Sequence, residues 1–199
     1  GNSAISRESV GAAASQGAHV VLLPEMVITG YPVEDLALRP SFQRASESTL
    51  EQLAQDIAAD GHGEVLVIAG YLRGTDSTDA TKLGVPRGAP MNCAAVIHRG
   101  QVVAHYAKHH LPNYGVFDEY RYFVPGNDSV LIRAFGVDIA AGAEQAVPHQ
   151  ETRRPVEVDR VVAATVSSCS SLTRQSLLDG RCAASAHLPR DQDCLLRVS

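Results

Sequence analysis

His19-Val-Val-Leu-Leu-Pro-Glu25 is the stretch on which the fold turns. A short unbroken apolar run closed by a proline reads as a buried strand. Upstream of it, Val10, Ala13, Ala14 and Ala18 recur at helical spacing with Ser3 as a cap, so a helix is expected to run as far as Gly17. Downstream, Ser41 to Ala58 carries Ala45, Leu50, Leu53, Ala54 and Ile57 on one face and stops near Gly61. A second apolar run, Glu64-Val-Leu-Val-Ile-Ala69, follows it. Strand, helix, strand is the pattern of a parallel sheet, and it sets the class as α/β.

Residues 72–90, rich in Gly, Thr, Asp and Pro, read as a loop. Cys93 to Ile97 and Val102 to Ala107 flank His98-Arg99-Gly100 and read as a hairpin. Val130 to Ile132 and Val137 to Ala140 add two short strands after the turn Pro125-Gly126-Asn127-Asp128. Beyond Ala140 the composition changes. All ten aromatic residues lie between Tyr31 and Phe135, the last isoleucine is Ile139, and the tail holds seven arginines and no lysine. The expected division is therefore a folded part, 1–140, and a tail, 141–199, with little structure beyond Val161-Val162-Ala163-Ala164.

The whole chain of 199 residues is 45% hydrophobic and 20% charged, enough for one domain with a sizeable core. A net charge of -5 offers no basic surplus for a phosphate backbone, so nucleic acid is not an expected partner. No apolar run approaches the ~20 residues that span a bilayer, so no membrane partner is expected either, and the expected compartment is the cytoplasm. The cysteines at 93, 169, 182 and 194 form no CxxC pair and no zinc spacing, and reduced thiols are the default. His109 and His110 are adjacent and cannot both face one ion from a regular strand, so no metal site is expected.

Two ionisable residues stand at strand ends. Glu25 follows the first strand directly, which puts its carboxylate at the carboxyl end of the sheet, where open α/β sheets place ligands. Lys108 ends the second arm of the hairpin and is one of only two lysines, the other being Lys82. Taken singly, a glutamate there more often caps a turn and a lysine more often sits in solvent. Together they are each other's obvious partner, a base beside a cation able to steady an oxyanion.

The segments Pro24-Glu-Met-Val-Ile-Thr-Gly-Tyr-Pro-Val-Glu-Asp-Leu36 and Ala107-Lys-His-His-Leu-Pro-Asn-Tyr-Gly-Val-Phe-Asp-Glu119 resemble those of nitrilase-superfamily glutaminases of the bacterial glutamine-dependent NAD synthetase group. The resemblance implies a four-layer α-β-β-α sandwich, here incomplete. It implies that Glu25 is the general base and Lys108 the oxyanion stabiliser of a Glu-Lys-Cys triad that attacks the side-chain amide of glutamine. Tyr31 and Tyr114 match positions lining the glutamine pocket, and Phe117 and Glu119 match positions in the loop that closes over it. The glutaminase part needs no cofactor; ATP and magnesium belong to the synthetase domain, which is an expected partner alongside further copies of the chain.

The third member of the triad departs from that pattern. Family members carry Cys-Glu-Asp shortly after the strand matching Phe135-Gly-Val-Asp-Ile-Ala140, and an ungapped count puts Glu144 at the cysteine's place. Cys93 lies within an expected strand, and Cys169, Cys182 and Cys194 lie in the unmatched tail, so no nucleophile is assigned. The chain also reads as short at its front, without the family's opening strand. A change of reading frame near codons 140–141 accounts for the break in composition and the break in resemblance together. The competing readings are another nitrilase-family amidase and a non-catalytic partner that keeps Glu25 and Lys108 without the thiol.

Overall fold

The computed structural model describes residues 1–75, 88–115, 117–128, 130–135, 137–141, 156–157 and 194–196. In chain order these form α1 (Asn2–Ser15), β1 (Val20–Leu22), α2 (Pro40–Ala59), β2 (Leu66–Arg73), β3 (Met91–His98), β4 (Gln101–Ala107), β5 (Val130–Ala134), β6 (Val137–Ala141), β7 (Val156–Glu157) and β8 (Cys194–Leu196). Short 3-10 turns stand at Glu34–Leu38 and Glu119–Arg121. One sheet has the order β4-β3-β2-β1-β8 and a second has β6-β5-β7.

β1 and β2 run parallel, as the strand-helix-strand pattern requires, with Val20, Val21 and Leu22 opposite Leu66, Val67 and Ile68. α2 is the crossover between them. Pro40 opens it where a missing N–H costs nothing, and the chain leaves through Gly61 at φ +84, in the left-handed region that favours glycine. α1 starts at Asn2 with Gly1 at the cap position and no side-chain cap bond, so Ser3 lies inside the helix. Arg7 of α1 reaches Asp60 and, at 3.4 Å, Asp56, tying the two helices together.

Side-chain alternation along β2 explains why its sequence is continuously apolar. Val67, Ala69 and Tyr71 pack with Leu50, Leu53 and Ile57 of α2 and with Val10 and Ala13 of α1. Leu66 and Ile68 point the other way, against Ile132, Ala134 and Ile139 of the second sheet. Helices, first sheet and second sheet are thus three of the four layers expected, and no helix covers the outer face of the second sheet among the described residues. None of the described helices is long and apolar enough to cross a membrane.

β3 and β4 form the expected hairpin. Its two turn residues, Arg99 and Gly100, both take positive φ, 50 and 78, the geometry that matches the twist of a two-residue hairpin. β2 extends four residues past Ala69, the expected end, because Met91 to Ala94 supply ladder partners for Gly70 to Arg73. Of these, Leu72 and Arg73 were expected in the loop 72–90; no local pattern announces a ladder whose partner lies some twenty residues on. Most of the tail 141–199, including Val161 to Ala164, lies outside the described residues. Within them, β7 pairs parallel with β5 and β8 pairs antiparallel with β1, with Cys194 opposite Leu22.

The strand directions bring four chain positions to one end of the first sheet. β1 ends there, β2 ends there, β3 begins there and β4 ends there. A third apolar cluster, Met26, Val33, Ala37, Leu72, Leu111 and Phe123, fills the space beneath the loops at that end. At the same end Gly70 lets the Pro24-Glu25-Met26 turn lie directly on β2. A Cβ there would sit 2.3 Å from Met26 N, 2.6 Å from Pro24 O and 2.7 Å from Glu25 Cα. All three are backbone atoms, which cannot swing aside. Gly70→Ala is expected to cost at least about 2 kcal/mol in urea unfolding, whereas Gly63→Ala, whose Cβ would meet nothing closer than 3.5 Å, stays within about 0.5 kcal/mol.

Candidate active site

Glu25 stands in the turn that follows β1, held by Leu23 N–H donating to Ile68 O at 2.8 Å and Ile28 N–H donating to Gly70 O at 3.2 Å. The turn is tight enough that Met26, fully buried, takes φ 55. Lys108 is the first residue after β4. Its N–H donates to Asn92 O at 2.8 Å, and its carbonyl accepts Gly126 N–H at 2.9 Å. Gly126 is pressed so closely on the end of β4 that a Cβ would lie 2.3 Å from Ala107 O. His109, next in sequence, donates Nδ1–H to Gly126 O and so locks the same segment.

The Lys108 ammonium is bonded on two sides. Its Nζ lies 2.9 Å from Glu25 Oε1 and 3.0 Å from Glu119 Oε1. The Glu119 side chain is only 4% exposed, the Lys108 side chain 27% and the Glu25 side chain 40%, so the three run from the interior to the mouth of the site. Burial by itself would lower the Lys108 pKa, but its hydrogen bonds and charge contacts with Glu25 and Glu119 outweigh that, and the net direction is upward. The lysine therefore stays cationic throughout the neutral range.

Glu119 is held by its backbone as well as by its carboxylate: its N–H donates to Pro112 O at 3.1 Å, and its carbonyl accepts Phe123 N–H at 2.9 Å. The family resemblance placed it in a closing loop. In the structure it is one of the two anions on Lys108 and the deepest of the three charged groups. Tyr31 lies within electrostatic reach of all three. Burial raises its pKa, Glu119 and Glu25 raise it further, and Lys108 opposes them. Tyr114 and Phe117 sit on the loop between Lys108 and Glu119 and meet edge to face with ring centroids 5.7 Å apart. Both are exposed, and neither is joined to Glu25 or Lys108 by a hydrogen bond or ring contact among the described residues.

The sequence reading passed over Asn92. It is the second residue of β3, 3% exposed, and its Nδ2 donates to Glu25 Oε1 at 2.5 Å. The available signal was one amide heading an otherwise apolar strand, since a buried amide requires a partner. Its neighbour Cys93 points to the opposite face, into the cluster beneath the helices. Burial pushes the Cys93 thiol up to about 12. Cys93 is thus a core residue, as its strand position implied. Cys194 opens β8, while Cys169, Cys182 and Glu144 lie outside the described residues. Among the described residues no group of three or more His, Cys, Asp or Glu is placed to hold a metal ion.

The raised Lys108 pKa fixes the sign of a stability effect. A group whose folded pKa exceeds its unfolded value contributes stability in full below the unfolded pKa, about 10.4 for lysine, and loses it as pH climbs through the folded value. Lys108→Met is therefore expected to cost about 1–3 kcal/mol at pH 7. That penalty should shrink as pH rises above about 10.4. Urea unfolding of both chains between pH 7 and 11 checks both the size and the trend.

The carbon-nitrogen hydrolase family profile matches residues 2–147. The chain is 37% identical over 122 residues to the glutamine-dependent NAD(+) synthetase of Aquifex aeolicus, covering 61% of this chain and 19% of the relative. With the Thermotoga maritima enzyme of the same name it shares 35% over 132 residues, 66% of this chain and 20% of the relative. The chain thus spans about a fifth of the length of the curated relatives it matches. Glutamine-dependent NAD+ synthetase from Acinetobacter baumannii, solved with adenosine diphosphate, superposes with TM-score 0.57 at 30% identity, over 70% of this chain and 24% of that one. A nitrilase-superfamily amidase from Nesterenkonia AN1 superposes with TM-score 0.52 at 23% identity, over 70% of this chain and 48% of that one, a likeness of fold. With the family profile spanning both Glu25 and Lys108, the chain belongs to the carbon-nitrogen hydrolase family.

Proposed function

We propose that this chain carries the base and the cation of a glutaminase site, the ammonia-releasing part of a glutamine-dependent NAD synthetase, without a nucleophile to complete it. The observation behind this reading is the Lys108 ammonium held between Glu25 and Glu119 at the carboxyl end of the first sheet. Amide hydrolysis by a thiol needs three things: a base to take the thiol proton and pass it to departing ammonia, a cation to neutralise the developing oxyanion, and the thiol itself. Glu25 fills the first role and Lys108 the second. Tyr31 and Tyr114 line the approach for the side-chain amide of glutamine, and Phe117 closes over it.

The third role is unfilled by Cys93, which faces away from Glu25 and is held as a protonated thiol by burial. The hydrolysis itself uses no cofactor. ATP and magnesium serve the synthetase portion of the longer relatives, where released ammonia amidates an activated acid dinucleotide. A synthetase portion and further copies of this chain are the partners this reading implies, in the cytoplasm.

Purified chain incubated with glutamine is expected to release no ammonia above a protein-free control. Translating the coding DNA across codons 135–150 in the other frames is expected to reveal Cys-Glu-Asp soon after Ile139. A chain rejoined in that frame should hydrolyse glutamine, with Glu25→Gln and Lys108→Met each lowering the rate by about 10²–10⁴. Ammonia release from the unaltered chain, blocked by iodoacetamide, would place a working thiol in the tail and overturn the reading.

A further inference from the structure

Asn92 touches both charged residues at the mouth of the site, once through its backbone and once through its side chain. Its carbonyl accepts Lys108 N–H at 2.8 Å, which fixes where the lysine leaves β4. Its Nδ2 donates to Glu25 Oε1, the same oxygen that receives Lys108 Nζ at 2.9 Å. Both donors converge on one carboxylate oxygen, and Glu25 Oε2 accepts no hydrogen bond among the described residues.

We propose that Asn92 is a positioning residue that pins Glu25 Oε1 and so presents Oε2 to the substrate as the proton-exchanging atom. This rests on Glu25 being the base. An ammonium alone cannot fix the choice of oxygen, because it is close to a point charge whose three rotatable donors bond either oxygen, and a Glu25 side chain 40% exposed is otherwise free to turn toward water. A planar amide fixed on a strand is directional. With Asn92 3% exposed at the start of β3, its side chain has little freedom to swing aside. The donor is also neutral. A second cation at this place would stabilise the carboxylate anion further and weaken it as a base, whereas an amide orients it at lower cost to basicity.

The test needs no turnover. The chain has only two lysines, Lys82 and Lys108, so a sample labelled with ¹³C at lysine Cε gives two resonances, one of them an internal reference. In the unaltered chain Lys108 titrates above the ordinary lysine value, in part because Glu25 is held against it. Glu25→Gln should lower the Lys108 midpoint. Asn92→Ala should reproduce about half a unit or more of that fall by releasing Glu25, with the Lys82 midpoint unmoved. A Lys108 midpoint unchanged in Asn92→Ala while Glu25→Gln lowers it would overturn the proposal. If Asn92→Ala does not fold, Asn92→Ser is read in the same way; a chain that fails to fold with serine as well assigns Asn92 to packing and equally overturns it. Failure of the glutaminase reading shows separately, as a frame-restored chain that leaves glutamine intact while the Lys108 shift persists.

Discussion

The Lys108 ammonium, bonded to Glu25 on one side and Glu119 on the other, is the interaction on which this site and much of the surrounding chain depend. A cation drawn largely out of water persists only where opposite charge replaces its hydration. Here the two anions come from separate places: Glu25 from the turn after β1, Glu119 from a 3-10 turn beyond β4. Closing the triad therefore fixes three segments at once. The parallel pairing of β1 with β2 delivers Glu25, the β3-β4 hairpin delivers Lys108, and the cluster around Met26, Leu111 and Phe123 holds the two loops together beneath them.

Such convergence needs backbone to pass close to backbone, and two glycines permit it. Gly70 in β2 lies under the Glu25 turn, and Gly126 lies against the end of β4 beside Lys108. In both places a methyl group would fall 2.3 Å from a main-chain atom. These glycines supply empty space, and each serves one of the charged residues. The side chains of Glu25 and Lys108 could be kept and the site still lost if either approach were filled.

Much of this was legible in the sequence because the central strands, β1 to β3, are buried on both faces and read as plain apolar runs. The strand before Pro24, the helix from Pro40 and the hairpin at Arg99-Gly100 all stand within a residue or two of expectation. Glu25 and Lys108 were legible because they sit at strand ends. What escaped depended on contacts distant in sequence. The second half of β2 is strand because of β3, not because of its own pattern. Asn92 carries no periodic signal; only its burial against Glu25 gives it meaning. Tyr114 and Phe117 were matched to the pocket and its closing loop by resemblance alone, and they stand paired with each other on the exposed loop between Lys108 and Glu119.

Membership of a hydrolase family fixes the fold, while activity belongs to the site. The electrostatics here separate the two. Glu25 and Lys108 bond one another, and Glu119 holds the same ammonium from the interior, so their assembly needs no thiol. Cys93 supplies no such thiol, since burial pushes its pKa up and keeps it protonated. Lys108 is retained by folding energetics, because removing it strands the Glu119 carboxylate that the fold has already taken from water. The ordered, charged cluster of Glu25, Lys108 and Glu119 is therefore a property of the fold, and by itself no proof of turnover.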